Sequence, residues 1–306
     1  MACRRLDRKL GKELIQSVNS VLFDCDGVIW HPTGQIEGAA SLVASLRNLG
    51  KRVVFVTNNN TKSIRQLAEK FEKFGIEANQ NEIFGTARVA AVYLKHVLKL
   101  EKKVFIVGGE GIAEEVRNVG LEHLPIGACP LPGDPSLEVT QRVDLSTNSE
   151  VGAVVVGFDE HISFQKIASA MTYLEDPNVH FIATNTDNQF PMGDGTFMPG
   201  SGVMVAAVQR ASKRDPIIMG KPEKPMIDSI EAIHNIEPSK TLMIGDRLET
   251  DIAFGKRSGM KTLAVLSGVV SLNELEKLKL ENDTSDLIPD FFADSVKDLL
   301  DSILEN

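Results

Sequence analysis

The chain has 306 residues, 42% hydrophobic and 25% charged, and its 33 basic and 42 acidic side chains leave a formal net charge of −9. This ordinary globular composition excludes wholesale disorder and fibrous repeats, and the acidic balance argues against a general nucleic-acid binder, which needs a basic footprint. The longest clean apolar stretches, such as 151–158, fall far short of the ~20 residues that span a bilayer, so no membrane association is expected.

The N-terminal stretch carries Arg4, Arg5, Arg8, Lys9 and Lys12 with no apolar run behind them, so it does not read as a secretory signal. Asp7 and Glu13 count against a transit peptide, and a solvated helix ahead of the first strand is the simpler reading. Residues 20–23 and 52–56, rich in Val, Leu and Phe, read as buried strands. Between them Ala39, Ala40, Leu42, Val43 and Leu46 recur at helical spacing, with Gly50 where a C-cap belongs. Helical patterns over 61–74 and 86–98 precede a strand at 104–107, which runs into Gly108-Gly109-Glu110-Gly111. Glu114 takes the third glycine place of a dinucleotide fingerprint, so this segment reads as an ordinary strand-to-helix turn.

Residues 124–148, with four prolines, form the clearest long loop. Strands at 151–156, 180–183, 217–219, 241–244 and 261–266 then alternate with helical patterns near 163–174, 203–213, 225–235 and 250–258. Such alternation predicts an α/β fold with a mostly parallel, Rossmann-like sheet. Cys3, Cys25 and Cys129 are too few and too scattered for a disulfide framework or a zinc site, and a reducing cytoplasm is the default expectation.

Four strand ends carry the chemistry. In Val21-Leu22-Phe23-Asp24-Cys25-Asp26-Gly27-Val28 a buried strand runs into Asp-x-Asp-Gly. Side-chain alternation points Asp24 and Asp26 the same way and turns Cys25 toward the core. Two such carboxylates repel unless a cation or a proton lies between them, although Asp and Gly also favour plain turns. The strand at 52–56 ends in Thr57-Asn58-Asn59, a hydroxyl and peptide N–H groups that suit an anion. The strand at 217–219 runs through Gly220 to Lys221 and Pro222, and the strand at 241–244 ends in Gly245-Asp246 with Asp251 five residues on. If four parallel strands of one sheet deliver these groups to one edge, hard carboxylate oxygens without His or Cys partners suit Mg²⁺. The ammonium and the metal would then neutralise a phosphoryl group.

The ordered set DCDGV, TNN, GKP and GDRLETD resembles the four motifs of the haloacid dehalogenase superfamily. The resemblance implies that Asp24 is a nucleophile forming an aspartyl-phosphate and that Asp26 is the general acid and base. It implies that Thr57 and Asn58, with the adjacent Asn59, bind the phosphate and that Lys221 balances charge on nucleophile and phosphate. Asp24, the backbone carbonyl of Asp26 and Asp246 would hold Mg²⁺, with Asp251 an outer partner. A second aspartate at Asp26 marks phosphotransfer members and not dehalogenases. Between Thr57 and Lys221 the chain is far longer than one crossover needs. Residues 1–100 and 212–306 are therefore expected to form the core, and 101–211 an inserted α/β cap of the C2 type. The resemblance also suggests a homodimer through that cap.

The segment 181–191, continuing through Gly193-Asp194-Gly195 to Gly202, is similar to eukaryotic phosphoglycolate phosphatases, also described as 4-nitrophenyl or glycerol-3-phosphate phosphatases. Asp187, Asn188 and Phe190 are the candidates for selecting the substrate. Related pyridoxal phosphatases carry a histidine where this chain has Phe190-Pro191, which favours phosphoglycolate or glycerol 3-phosphate over pyridoxal phosphate. A nucleotidase, a mutase or a silent phosphate-binding protein on the same fold are the alternatives. The expected partner is a small phosphomonoester.

Overall fold

In a computed structural model of the chain, which describes residues 3–192, 196–280 and 286–304, the strand Ser20–Phe23 is the pivot. Gly193-Asp194-Gly195 lies outside the described residues. Ser20–Phe23 pairs with Arg52–Thr57 on one side and Thr241–Gly245 on the other. The whole parallel sheet has seven strands in the order Arg4–Arg5, Phe291–Ala293, Lys261–Val265, Thr241–Gly245, Ser20–Phe23, Arg52–Thr57, Ile83–Gly85. The chain runs outward from Ser20–Phe23 to one edge, leaves, and returns to build the other half up to its edge, which Arg4–Arg5 supplies. Strand order therefore reverses between Ser20–Phe23 and Thr241–Gly245, and it is beyond the carboxyl ends of two such strands that a parallel sheet opens a crevice.

A second parallel sheet of four strands, in the order Ile217–Ile218, His180–Ala183, Val151–Val156, Lys103–Val107, comes from the intervening chain. Period-two alternation explains how the two sheets pack. Val21, Phe23, Val53 and Phe55 face one core. Leu22, Val54, Val56 and Met243 face the other, which also takes in Val104, Ile106, Val155 and Ile182 of the second sheet. The opposite face of the second sheet, with Val107, Val154, Val156 and Phe181, packs on residues of the helices Phe164–Tyr173 and Ser201–Ser212. Both sheets thus share one apolar layer. Polar ties reinforce it: the buried Glu115 accepts from the Ile64 N–H at 2.7 Å, and Arg65 pairs with Glu114 at 3.0 Å.

The structure corrects one expectation. The strand ahead of Lys221 was expected in the same sheet as the aspartates, yet Ile217 and Ile218 pair with Ile182 and Ala183 at the edge of the second sheet. The helix Ser201–Ser212 leads back from His180–Ala183 to the adjacent edge, and an apolar run alone does not specify which sheet it joins. The N-terminal basic stretch is a short edge strand followed by the helix Arg8–Gln16, capped by Asp7 accepting from the Leu10 N–H at 2.8 Å. Residues 124–148 are irregular apart from the short helix Val139–Arg142. Two small hairpins, Trp30–His31 with Gly34–Gln35 and Gln189–Pro191 with Phe197–Pro199, lie outside the alternation the sequence suggested.

Gly111 is required by a close approach between the two halves. A Cβ there would lie 2.6 Å from the Thr61 carbonyl group and 2.7 Å from the Asn60 oxygen. We expect Gly111→Ala to cost about 1–3 kcal/mol, as overpacking against backbone does, and to lower activity by displacing the Thr57–Asn60 turn. Denaturant unfolding and turnover measure this; an unchanged midpoint with unchanged activity would contradict the packing described.

Candidate active site

Asp24 and Asp246 end the two strands on either side of the reversal, and the Asp24 N–H donates to the Ile244 carbonyl at 2.8 Å. Both side chains are buried, as is that of Asp251. Asp251 is presented by a π-helical turn, Leu248–Ile252, a local widening often found at functional sites. One carboxylate oxygen from each of Asp24, Asp246 and Asp251 lies within 4.8 Å of the others.

Lys221 reaches this cluster from the second sheet. Its ammonium donates to Asp24 Oδ1 at 2.6 Å and to the Val56 carbonyl at 2.7 Å, and lies 2.7 Å from Asp251 Oδ1. The last contact lacks hydrogen-bond alignment, so Asp251 Oδ1 stays buried without an aligned donor. Burial opposes the charge on Lys221, but Asp24 and Asp251 outweigh it and hold its pKa above the ordinary lysine range. Three buried carboxylates against one ammonium leave a negative excess. Burial, followed by Asp251, pushes Asp246 up to about 7, and burial also raises Asp24 well above the carboxylate range despite Lys221. An all-oxygen donor set with surplus charge and a buried oxygen lacking an aligned donor fits a hard divalent cation.

Two glycines make room for Asp246. A Cβ on Gly27, whose φ is +85°, would lie 2.3 Å from Asp246 Oδ2, and one on Gly268 would lie 1.9 Å from it. Asp246 Oδ2 also accepts from the Val269 N–H at 2.9 Å. The Gly27 position of Asp-x-Asp-Gly is therefore a steric requirement as well as a turn.

Asp26 differs from its neighbour. Its side chain is half-exposed, and Oδ1 accepts from the Trp30 indole N–H at 2.8 Å, with Lys70 at 3.8 Å. Cys25 faces the core, where burial and then Asp24 push its thiol up, away from reactivity. Thr57 is buried, and its Oγ1 accepts from the Asn59 N–H at 3.1 Å, which leaves its own O–H to donate. The Asn58 side chain braces Lys221: its Oδ1 accepts the Lys221 N–H at 2.9 Å, and its Nδ2 donates to the Lys221 carbonyl at 3.1 Å. Asn58 Nδ2 also donates to Asp187 Oδ2 at 3.2 Å. The Asn59 side chain folds back onto Thr61.

A cavity of about 700 Å³ opens over these groups and is lined by Asp24, Asp26, Thr57, Lys221 and Asp246 from below and by Asp187, Phe190 and Phe197 from the second unit. Asp187 Oδ2 accepts from Asn185 at 2.7 Å as well as from Asn58, so it ties the two units together. Phe190 stacks edge-on against Phe158, whereas Asn188 is exposed and off the cavity wall. Four features escape sequence reasoning. Asn60 is buried between Asn185 and Ser201 at 2.8 Å each, and Arg247 donates to the Gln189 carbonyl at 3.1 Å. Trp30 and Lys70 both attend Asp26. For Trp30 a signal existed, since an indole follows Asp26 by four residues.

The family model described as haloacid dehalogenase-like hydrolase matches residues 21–122, and one described as HAD-hydrolase-like matches residues 218–299. The chain is 36% identical over 306 residues to a glycerol-3-phosphate phosphatase of Gallus gallus, covering 98% of this chain and 97% of that one. It is 40% identical over 303 residues to phosphoglycolate phosphatase 2 of Arabidopsis thaliana, covering 98% of each. A solved structure of a glycerol phosphate phosphatase from Mycobacterium tuberculosis in complex with magnesium matches with a TM-score of 0.75 at 26% identity, over 94% of this chain and 77% of that one. No helix among the described residues is long and apolar enough to cross a membrane.

The raised Asp246 gives the cation site a pH signature. Its folded pKa, about 7, lies above its ordinary value of 3.8, so stability present at low pH is lost as pH rises through 7 in the metal-free protein. A cation bound at these carboxylates would replace the proton. Adding Mg²⁺ to chelator-treated protein should therefore raise the unfolding temperature more at about pH 8 than at about pH 6. Equal shifts at both would contradict cation binding at these carboxylates.

Proposed function

The chain belongs to the haloacid dehalogenase-like hydrolases, and from that premise we propose that it is a Mg²⁺-dependent phosphomonoesterase acting on small phosphorylated metabolites, phosphoglycolate or glycerol 3-phosphate foremost. The observation that carries the reading is the Asp24–Lys221 pair, 2.6 Å apart at the floor of a cavity and facing Asp246 across the strand reversal. The names of the relatives support the substrate class.

In this reading Asp24 attacks phosphorus in line and forms an acyl phosphate as the bond to the leaving oxygen breaks. Asp26 gives its proton to the departing alkoxide. The Asp26 carboxylate then takes a proton from water, whose oxygen attacks the acyl phosphate, releasing phosphate and restoring Asp24. The Thr57 hydroxyl donates to a phosphoryl oxygen, oriented by Asn59, while Asn58 holds Lys221 beside the nucleophile. Asp24, the Asp26 carbonyl and Asp246 would hold Mg²⁺, with Asp251 behind them. When bound, the ion offsets charge on the phosphoryl oxygens so that two anions can meet. The second unit, from about residue 101 through the edge strand Ile217–Ile218, acts as a lid whose Phe190 reads the leaving group and whose Asp187 ties it to the core. All of these residues come from one chain.

Asp24→Asn should lower turnover by about 10³-fold or more while leaving circular dichroism unchanged, since it removes a nucleophile and not packing. Near-normal activity of the folded variant would sink the covalent assignment. Asp187 and Phe190 separate two roles of the lid. Phe190→Ala should change the ratio of kcat/KM values between glycerol 3-phosphate, phosphoglycolate and pyridoxal phosphate. Asp187→Ala should lower all of them together, because its carboxylate binds the core and not the substrate. The reverse pattern would exchange these assignments.

A further inference from the structure

The environment of Asp26 is asymmetric. Oδ1 accepts the Trp30 indole N–H at 2.8 Å and has the Lys70 ammonium 3.8 Å away, while no hydrogen bond to Oδ2 is found among the described residues. Trp30 is fixed. It is 1% exposed, its ring packs on Phe71 at 4.7 Å and Phe74 at 5.8 Å, and its carbonyl accepts the Gly27 N–H at 2.8 Å. Lys70 lies over that same ring at 4.0 Å, so the indole positions both the donor and the cation. Asp26 and Lys70 both line the cavity.

We propose that Trp30 and Lys70 are positioning residues that clamp Asp26 Oδ1, so that the proton exchanged with the leaving group and with water is carried on Oδ2. An aligned N–H donor and a nearby ammonium, both facing Oδ1, make it the poorer place for a proton, and the indole N–H fixes the plane of the carboxyl group. When the ester bond breaks, the Oδ2–H bond breaks with it, an O–H bond forms on the leaving oxygen, and the carboxylate charge is shared with the clamped Oδ1. The clamp rests on the assignment of Asp26 as acid and base, and it adds which oxygen acts and what holds it.

The test compares kcat/KM, which reports steps through phosphoryl transfer to Asp24, for glycerol 3-phosphate and 4-nitrophenyl phosphate. An alkoxide needs the proton and a nitrophenolate does not. Trp30→Phe, which keeps the ring, and Lys70→Met, which keeps the stem, should each lower the value for glycerol 3-phosphate by ~10-fold or more and the nitrophenyl value far less. Lys70→Arg should recover most of the loss. Asp26→Asn should show the same bias more strongly. If Asp26→Asn shows no bias, the acid and base assignment fails, and the clamp with it. If Asp26→Asn is biased but both clamp variants lose the two esters alike, or lose neither, the clamp alone is overturned. Circular dichroism of Trp30→Phe excludes misfolding, and the half-exposed Lys70 gives an independent arm.

Discussion

Three buried carboxylates around one ammonium set the terms for the rest of this structure. Removing one partner of a buried ion pair costs about 3–5 kcal/mol, a large share of a typical folding free energy. With Lys221 alone beside the cluster, burial disfavours the charged forms of Asp24 and Asp246. The raised Asp24 and Asp246 express that tension as affinity for protons, and a divalent cation bound there would relieve it at neutral pH. Gly27 and Gly268 exist at their positions because any side chain would fill the space Asp246 needs.

The source of the ammonium couples the site to the architecture. Lys221 follows a strand of the second sheet, while Asp24 and Asp246 end strands of the first. The charge cluster is complete only when the two sheets are held together. The junction is accordingly built from fully partnered polar groups, Asn58 on the Lys221 backbone and Asn60 between Asn185 and Ser201, over a shared apolar layer. Those side chains belong to the run Thr57–Asn60, which in the proposed reading also holds the phosphate. In that reading one turn binds substrate and also registers the position of the second unit.

Much of this was legible in the sequence because it rests on local pattern. Short apolar runs ending in Asp, Thr or Gly-Asp marked the strands, and spacing marked the intervening unit. What escaped depends on pairing between distant segments. The run Ile217–Ile218 reads as a strand in either sheet, and its partner follows from the path of the preceding helix. The side chains of Asn58 and Asn59 are committed to Lys221 and Thr61 while Thr57 keeps a free hydroxyl hydrogen, a division of labour that residue types alone do not reveal. Lys70 lies within the helical pattern over 61–74 as an ordinary solvated lysine, and only folding brings it over Trp30. Gly268 is similarly silent until Asp246 is placed beside it.

The acyl phosphate on Asp24 is open to direct capture. Mixing the protein with Mg²⁺ and excess 4-nitrophenyl phosphate, quenching in acid and reducing with borohydride converts a phosphorylated aspartate to homoserine, which peptide mass spectrometry locates. Homoserine at position 24, dependent on substrate, is the predicted result. Active protein that carries no label there, or carries it on another residue, would contradict a nucleophilic Asp24.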